Sequence, residues 1–511
     1  MGFTDLNKPK KTLGADNVHI ASPNSTFGEV LVSRKNPIAQ GDFVYGIGNQ
    51  NFISSSFAGA SIAVVDGQCE LSSGTSASGS ATVQLRRGLK YRPGQGSALK
   101  ATALFSEPDA GNAQFIGGGT AECGYFVGYF GTNFGILHSI SGSREIRRLD
   151  ITTGAGTENV TVTLNGYSQV VPVVGAGSPE QTAYQLAKAD YSQLGTGGWL
   201  ADAQSGSVYF ISARSAAGLT STYSVSSGGS IVGAFTRVVE GEAQSNDFIP
   251  SASFNVDKMD GTGPSGMTLD PQKGNVYEID FQYLGYGNAD FFVEDPETGH
   301  TAKFHRIKNA NARTTPVLKN PNVAILATSA NIGGTTSKKL KTASMAGFIE
   351  GEVNSLDPKF SKSFSFSVDT SGVYKPLALF KTNRVFKDQS CFGEFDVLDI
   401  RASNESGGAT PKTVTIALFL NVEVTGEVNY QYIDEQESIV SYAALDPASN
   451  AIVNISNLTP IYEVVAGAGQ GVSKDLKSLS FAFGVGNNLL LAVSTTAAVA
   501  GLGGISWFEQ Q

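Results

Sequence analysis

Residues 274–321 read GNVYEIDFQYLGYGNADFFVEDPETGHTAKFHRIKNANARTTPVLKNP, and the alternation inside this stretch leaves few folds open to the chain. In an extended backbone Val276, Glu278, Asp280 and Gln282 face one way, while Tyr277, Ile279, Phe281 and Tyr283 face the other. A break at 284–287 is followed by a second run over 290–294, the turn Asp295-Pro296-Glu297-Thr298-Gly299, and a third run over 301–307. Three short strands joined by tight turns form a meander, and its aromatic face has to be covered by a second sheet or another layer. The stretch carries no catalytic motif. It predicts an all-β scaffold or recognition protein.

The rest of the composition extends that reading. Sixty glycines, 30 phenylalanines and 17 tyrosines in 511 residues suit many tight turns between short aromatic strands. A net charge of -9 leaves no basic excess to displace counterions, so nucleic acid is not an expected partner. Cys69, Cys123 and Cys391 are odd in number and far apart, which argues against a disulfide framework. The first 20 residues lack an apolar signal core. The small apolar segment 489–505 is broken by Ser494, Thr495, Thr496 and glycines, and no membrane span is expected.

Taken in order, the chain predicts a polar N-terminal arm over residues 1–25, then a β-sandwich domain over 26–250. Within it, residues 151–227 change character. NVTVTLNGYSQVVPVV reads as a hairpin turning at Asn165-Gly166, and Ser178-Pro179-Glu180 opens a helix with Ser178 as N-cap and Pro179 at its first position. Two further strands complete a small α+β module inserted into the sandwich. A second β domain is expected over 251–354 and a third over 355–511, where the continuous apolar run 416–420 predicts a central strand covered on both faces. The fold class is therefore mainly β, a multidomain, jelly-roll-like β-sandwich with a small α+β insertion.

Candidate functional residues are few. GYFVGYFGTNFGILH is rich in rings and glycine; a sandwich core accounts for it most economically, while Tyr125, Tyr129 and Phe130, with Tyr286, are the candidates for stacking on sugar faces beside Asp or Asn acceptors. Arg86, Arg87, Lys90 and Arg92 form a basic cluster that sits on the surface or pairs with carboxylates at an interface. Trp507 and Phe508 are candidate anchors, onto the parent domain or into a partner. His300 and His305 lie near Glu294, Asp295 and Glu297, but the spacing matches no metal motif, and no metal or cofactor is called for. No GxSxG elbow, P-loop or catalytic cysteine arrangement occurs, and no carboxylate pair stands out for glycoside hydrolysis. An enzyme is not expected.

Several long blocks, LRRGLKYRPGQGSALKATALF, GYFVGYFGTNFGILH, the inserted VTVTLNGY and SPEQTAYQLA, and the meander with the SMAGFIEGE that follows it, resemble uncharacterised structural proteins of tailed phages and large aquatic viruses over residues 80–355. The resemblance implies a viral structural protein: a tail, baseplate, tail-fibre or capsid-surface component of the virion, assembled in the host cytoplasm. Its implied partners are copies of itself, as a homo-oligomer such as a homotrimer, and other virion proteins. The alternative it leaves open is a receptor- or glycan-binding adhesin module for host attachment, with a host-surface glycan as partner; a polysaccharide-degrading enzyme ranks behind both.

Overall fold

The structure, a computed structural model, describes residues 35–510 apart from 49–50, 155, 176, 196, 216–221, 229–231, 352–356, 369–371, 406–411, 425–427, 448–454, 456–457 and 477–481. The N-terminal arm expected over 1–25 lies outside the described residues. The protein is mainly β: two sandwiches joined by a small module that carries the one α-helix among the described residues.

The first sandwich packs a nine-stranded sheet on a ten-stranded one. The meander supplies one edge of the nine-stranded sheet, in the order Thr301–Ile307, Ala289–Glu294, Asn275–Phe281, Ser97–Phe105. Beyond Ser97–Phe105 the sheet continues through Lys339–Thr342 along part of its length and through Ser344–Glu350, which pairs with Lys35–Asp42, along the rest. Tyr277, Ile279, Phe281 and Phe291 turn inward as the alternation requires and meet the rings of the facing sheet. Phe105 lies 5.8 Å from Tyr129 and 6.1 Å from Tyr277, and Tyr125 lies 5.7 Å from Phe281. Gly128, opposite Phe115 in the Asn112–Gly119/Gly124–Phe130 pair, has no room for a side chain, because a Cβ there would stand 1.9 Å from the Gln114 carbonyl oxygen.

Strands from either side of residue 250 interleave in both sheets, which corrects the expected division into domains at 26–250 and 251–354. Asn275–Phe281 pairs with Ser97–Phe105, and Ala324–Asn331 lies between Asn112–Gly119 and Ser80–Leu85. One core results, because each half leaves sheet edges and an apolar face that only the other covers.

The inserted module grows out of the long strand Asn133–Thr153, whose first half belongs to the sandwich and whose second half pairs with Ser207–Ser215 and Val232–Val239. The hairpin turns where expected, at Asn165 (φ 51°) and Gly166 (φ 81°). The helix runs Pro179–Lys188, with the Gln181 backbone N–H donating to Ser178 Oγ at 3.2 Å. Its Tyr184 reaches across to the C-terminal sandwich, 6.1 Å from Tyr430, and Lys188 Nζ donates to the Val424 carbonyl at 2.7 Å. The module is therefore a bridge between the two sandwiches.

In the C-terminal sandwich a five-stranded and a six-stranded sheet face each other. Val414–Leu420 is the covered strand foreseen from its apolar run: Ile416 and Leu418 face the sandwich core, and Ala417 and Phe419 enter a second cluster on the opposite face of the sheet. The last strand, Val499–Gln510, lies between Lys359–Val368 and Glu394–Asn404. Trp507 is wholly buried in this core and Phe508 is buried beside Lys359, so both pack into the chain's own domain. The basic cluster also points inward: Lys90 Nζ lies 3.4 Å from Glu394 and Arg87 Nη2 3.4 Å from Asp396, pinning the first sandwich to the second.

Candidate functional site

The outer face of the nine-stranded sheet concentrates polar groups in a way the inner face forbids. Strand register sets them out in two rows. One runs Lys303, Phe292, Glu278, Lys100, Ala346; the next runs Arg306, Asp290, Asp280, Ala98, Phe348. Gln282 follows Asp280 on the same face, just past the end of Asn275–Phe281. The buried Ala98 lies between Asp280 and the half-buried ring of Phe348, and the half-buried Phe292 lies under Lys303, whose Nζ is 5.1 Å from the ring centre.

Most of these charges are matched. Asp290 accepts from Lys303 Nζ at 2.8 Å and from Arg306 Nη2 at 2.6 Å. Glu278 accepts from Lys35 Nζ and lies 2.8 Å from Lys100 Nζ, and Lys35 also reaches Asp280 Oδ2 at 2.9 Å. Against the effect of burial, Lys35 and Lys100 hold Glu278 below its ordinary value. Burial, with the charge of Glu278, pushes Asp280 up to about 7, and Lys35 opposes this only in part. Two neighbouring carboxyls are thereby separated into one firmly ionised group and one that titrates near neutrality.

What remains unmatched is local. Asp280 is 9% exposed and Gln282 5%, yet Asp280 Oδ1 receives no hydrogen bond and Gln282 Nε2 finds no acceptor. An acceptor and a donor left without partners at successive positions of one face cost stability unless something else meets them.

The raised Asp280 has a consequence for stability. An isolated aspartate titrates near 3.9, so between about pH 4 and pH 7 the native state holds a proton that the unfolded chain has released, and stability falls as pH rises through this window. Asp280→Asn, which mimics the protonated carboxyl, is expected to remove a slope of up to about 1.4 kcal/mol per pH unit. Urea unfolding at pH 5, 6, 7 and 8 measures it. Parallel pH profiles for the two proteins would contradict the assignment.

The four rings singled out in the sequence do not converge. Tyr125 and Tyr129 are core residues and cannot receive a ligand in this fold. Phe130 is 46% exposed but lies on the other sheet, 5.7 Å from Phe248. Tyr286 is exposed in the 284–287 turn that follows Gln282. His300 is exposed, and His305 is buried between Phe254 and Phe291, where desolvation lowers it to about 4 and its Nδ1 accepts from the Asn255 N–H at 3.2 Å. Among the described residues no group of three His, Cys, Asp or Glu side chains could hold a metal ion, and no helix is long and apolar enough to cross a membrane. The Glu278-Asp280-Gln282 ladder was visible as an alternation in the sequence. Its one signal was three successive polar positions on a strand whose flanks suit a buried sheet.

No family model and no curated protein sequence matches the chain. Solved structures similar to it include an endo-acting O-glycanase of human gut microbiota associated with mucin breakdown, at 10% identity and TM-score 0.26 over 61% of this chain and 99% of that one. Peanut lectin with a bound nonapeptide is similar at 11% identity and TM-score 0.25, over 62% and 99%. A Bacteroides ovatus GH16 protein in complex with an oligosaccharide product is similar at 9% identity and TM-score 0.24, over 60% and 98%. Scores this low assign neither ligand nor activity. The virion reading is corrected: the similar structures named are glycanases and a lectin, and no match supports the resemblance drawn over residues 80–355. A tail, fibre or capsid role, a place in a virion, and homotrimer or virion-protein partners are withdrawn with it, the last also because Trp507 and Phe508, the expected contact residues, are buried in their own domain.

Proposed function

We propose that the protein binds a carbohydrate on the outer face of the nine-stranded sheet and does not cleave it. The observation that carries this reading is the pair of buried, unmatched atoms Asp280 Oδ1 and Gln282 Nε2. Sugar hydroxyls both donate and accept, so they satisfy the two together, while the half-buried ring of Phe348 offers apolar surface for the C–H face of a pyranose. The sharing of one lysine by Glu278 and Asp280 supports binding over hydrolysis. Glu278 and Asp280 are both bound to the Lys35 ammonium, whereas a glycosidase keeps one carboxyl as acid and the other facing the scissile bond.

Electrophoresis of the full chain through gels cast with soluble polysaccharides tests the proposal. At least one neutral polysaccharide is expected to retard the protein, and Gln282→Ala to weaken that affinity about three- to tenfold through the loss of one hydrogen bond. Unchanged mobility in every gel, or equal retardation of Gln282→Ala, would remove the site from consideration. Release of reducing ends from the retarding polysaccharide would overturn the non-catalytic part alone.

A further inference from the structure

The two sandwiches meet along a cleft that the carbohydrate proposal does not use. One part, of about 380 Å³, is lined by Phe52, Ser54 and Arg86 from the first sandwich and by Asn421, Gly486 and Asn488 from the second. A second part, of about 260 Å³, shares Arg86 and adds Arg87 and Asn487. Arg384 stands at the same place: a Cβ on Gly486 would lie 3.3 Å from Arg384 Nη2 and 3.6 Å from Arg86 Nη1. Gly486 has φ +91°, a conformation that favours glycine, so the wall between the two guanidinium groups carries no side chain.

The surroundings are cationic in an otherwise acidic protein. Burial and then the nearby Arg384 lower the proton affinity of Arg86; burial lowers that of Arg144 against the pull of Glu122, with Arg384 adding to it. Two carboxylates stand among these bases, Asp202 favouring the charged form of Arg384 and Glu122 that of Arg144. Asp202 accepts from Lys381 Nζ, from the Arg384 backbone N–H at 2.9 Å and from Gln204 Nε2 at 2.8 Å, and Glu122 accepts from the Arg144 backbone N–H at 3.2 Å. Among the described residues, Arg86, Arg144, Arg384 and Lys381 thus gather around Asp202 and Glu122. Partly buried guanidinium groups beside an open cleft suit an anion with several acceptor oxygens, which their planar forks bind best.

We infer that this interdomain cleft binds a sulfate or phosphate group between Arg86 and Arg384, either as the free ion or as an ester on a larger ligand. The inference is independent of the sheet face, and its test separates the two. The full chain is titrated calorimetrically with sodium sulfate, sodium phosphate and a heparin-derived disaccharide, each at constant ionic strength balanced by chloride. Saturable binding is expected, weakened about tenfold or more in Arg86→Gln, as for a lost charge-assisted hydrogen bond. Ser54→Glu places a carboxylate at the exposed mouth of the cleft without touching the core, and is expected to weaken binding similarly should Arg86→Gln fail to fold. Gln282→Ala is expected to bind the anions unchanged. Equal affinity for ion and disaccharide assigns the site to the free anion; tighter binding of the disaccharide assigns it to the ester. Absence of saturable binding at millimolar anion, or binding that Ser54→Glu leaves unaltered, overturns the inference.

Discussion

Trp507→Ala is expected to unfold the C-terminal sandwich. The indole is fully buried between Phe360, Phe380 and Phe395, with ring centres 5.6–6.3 Å away, and it lies on a strand paired on both sides. Emptying such a site costs about 3–5 kcal/mol, a large part of what a domain commands. The loss includes a polar contact, because the indole Nε1–H donates to Glu509 Oε1 at 2.9 Å. Glu509 also accepts from Ser438 Oγ at 2.6 Å and from the Ile439 N–H at 2.7 Å, so Trp507→Phe, which keeps a ring, should cost less, about 1–3 kcal/mol for the buried hydrogen bond lost. Guanidinium denaturation followed by tryptophan-independent circular dichroism resolves the two variants. A Trp507→Ala protein with a wild-type midpoint would mean that the last strand does not hold this domain together.

The second large effect is expected at the junction. Lys381 reaches Asp202 of the inserted module and also donates to the Ala203 carbonyl at 2.6 Å, and desolvation pulls its pKa below the ordinary lysine value in spite of the carboxylate. Asp202→Ala leaves that ammonium buried without its counter-charge and should cost about 3–5 kcal/mol. The double variant Asp202→Ala/Lys381→Met removes both members of this pair and is expected to recover part of the loss, the remainder reflecting Arg384, whose charge Asp202 also favours. Equilibrium unfolding of the two single variants and the double variant measures the coupling. A single variant that loses only the ~0–1 kcal/mol of an exposed pair would show that the module and the C-terminal sandwich are not locked here.

Local periodicity explains what the sequence disclosed. Alternation in residues 276–283 separated the core face of the meander from its polar face, Asn165-Gly166 placed a hairpin, Ser178-Pro179 placed a helix start, and the run 416–420 identified a strand covered on both sides. The same alternation sends Tyr125, Val127 and Tyr129 inward, as the sandwich-core reading of this block expects, and leaves Phe130 outside. Non-local pairing was not legible. Nothing in residues 275–281 announces that they pair with 97–105, and that pairing merges two expected domains into one. Nor does a cluster of bases name its partners: Arg87 and Lys90 find Asp396 and Glu394 some 300 positions away. The site was half visible for the same reason. Glu278, Asp280 and Gln282 could be placed on one face, but which of them Lys35 and Lys100 would satisfy, and which atoms would be left over, depends on strands brought in from the other end of the sandwich.

The carbohydrate proposal is tested most directly by a crystal structure of the full chain soaked with an oligosaccharide of the retarding polysaccharide. The account requires a sugar against the outer face of the nine-stranded sheet beside Phe348, with hydroxyl groups within hydrogen-bond distance of Asp280 Oδ1 and Gln282 Nε2. A sugar seated elsewhere on the molecule, with those two atoms still unmatched, would contradict it.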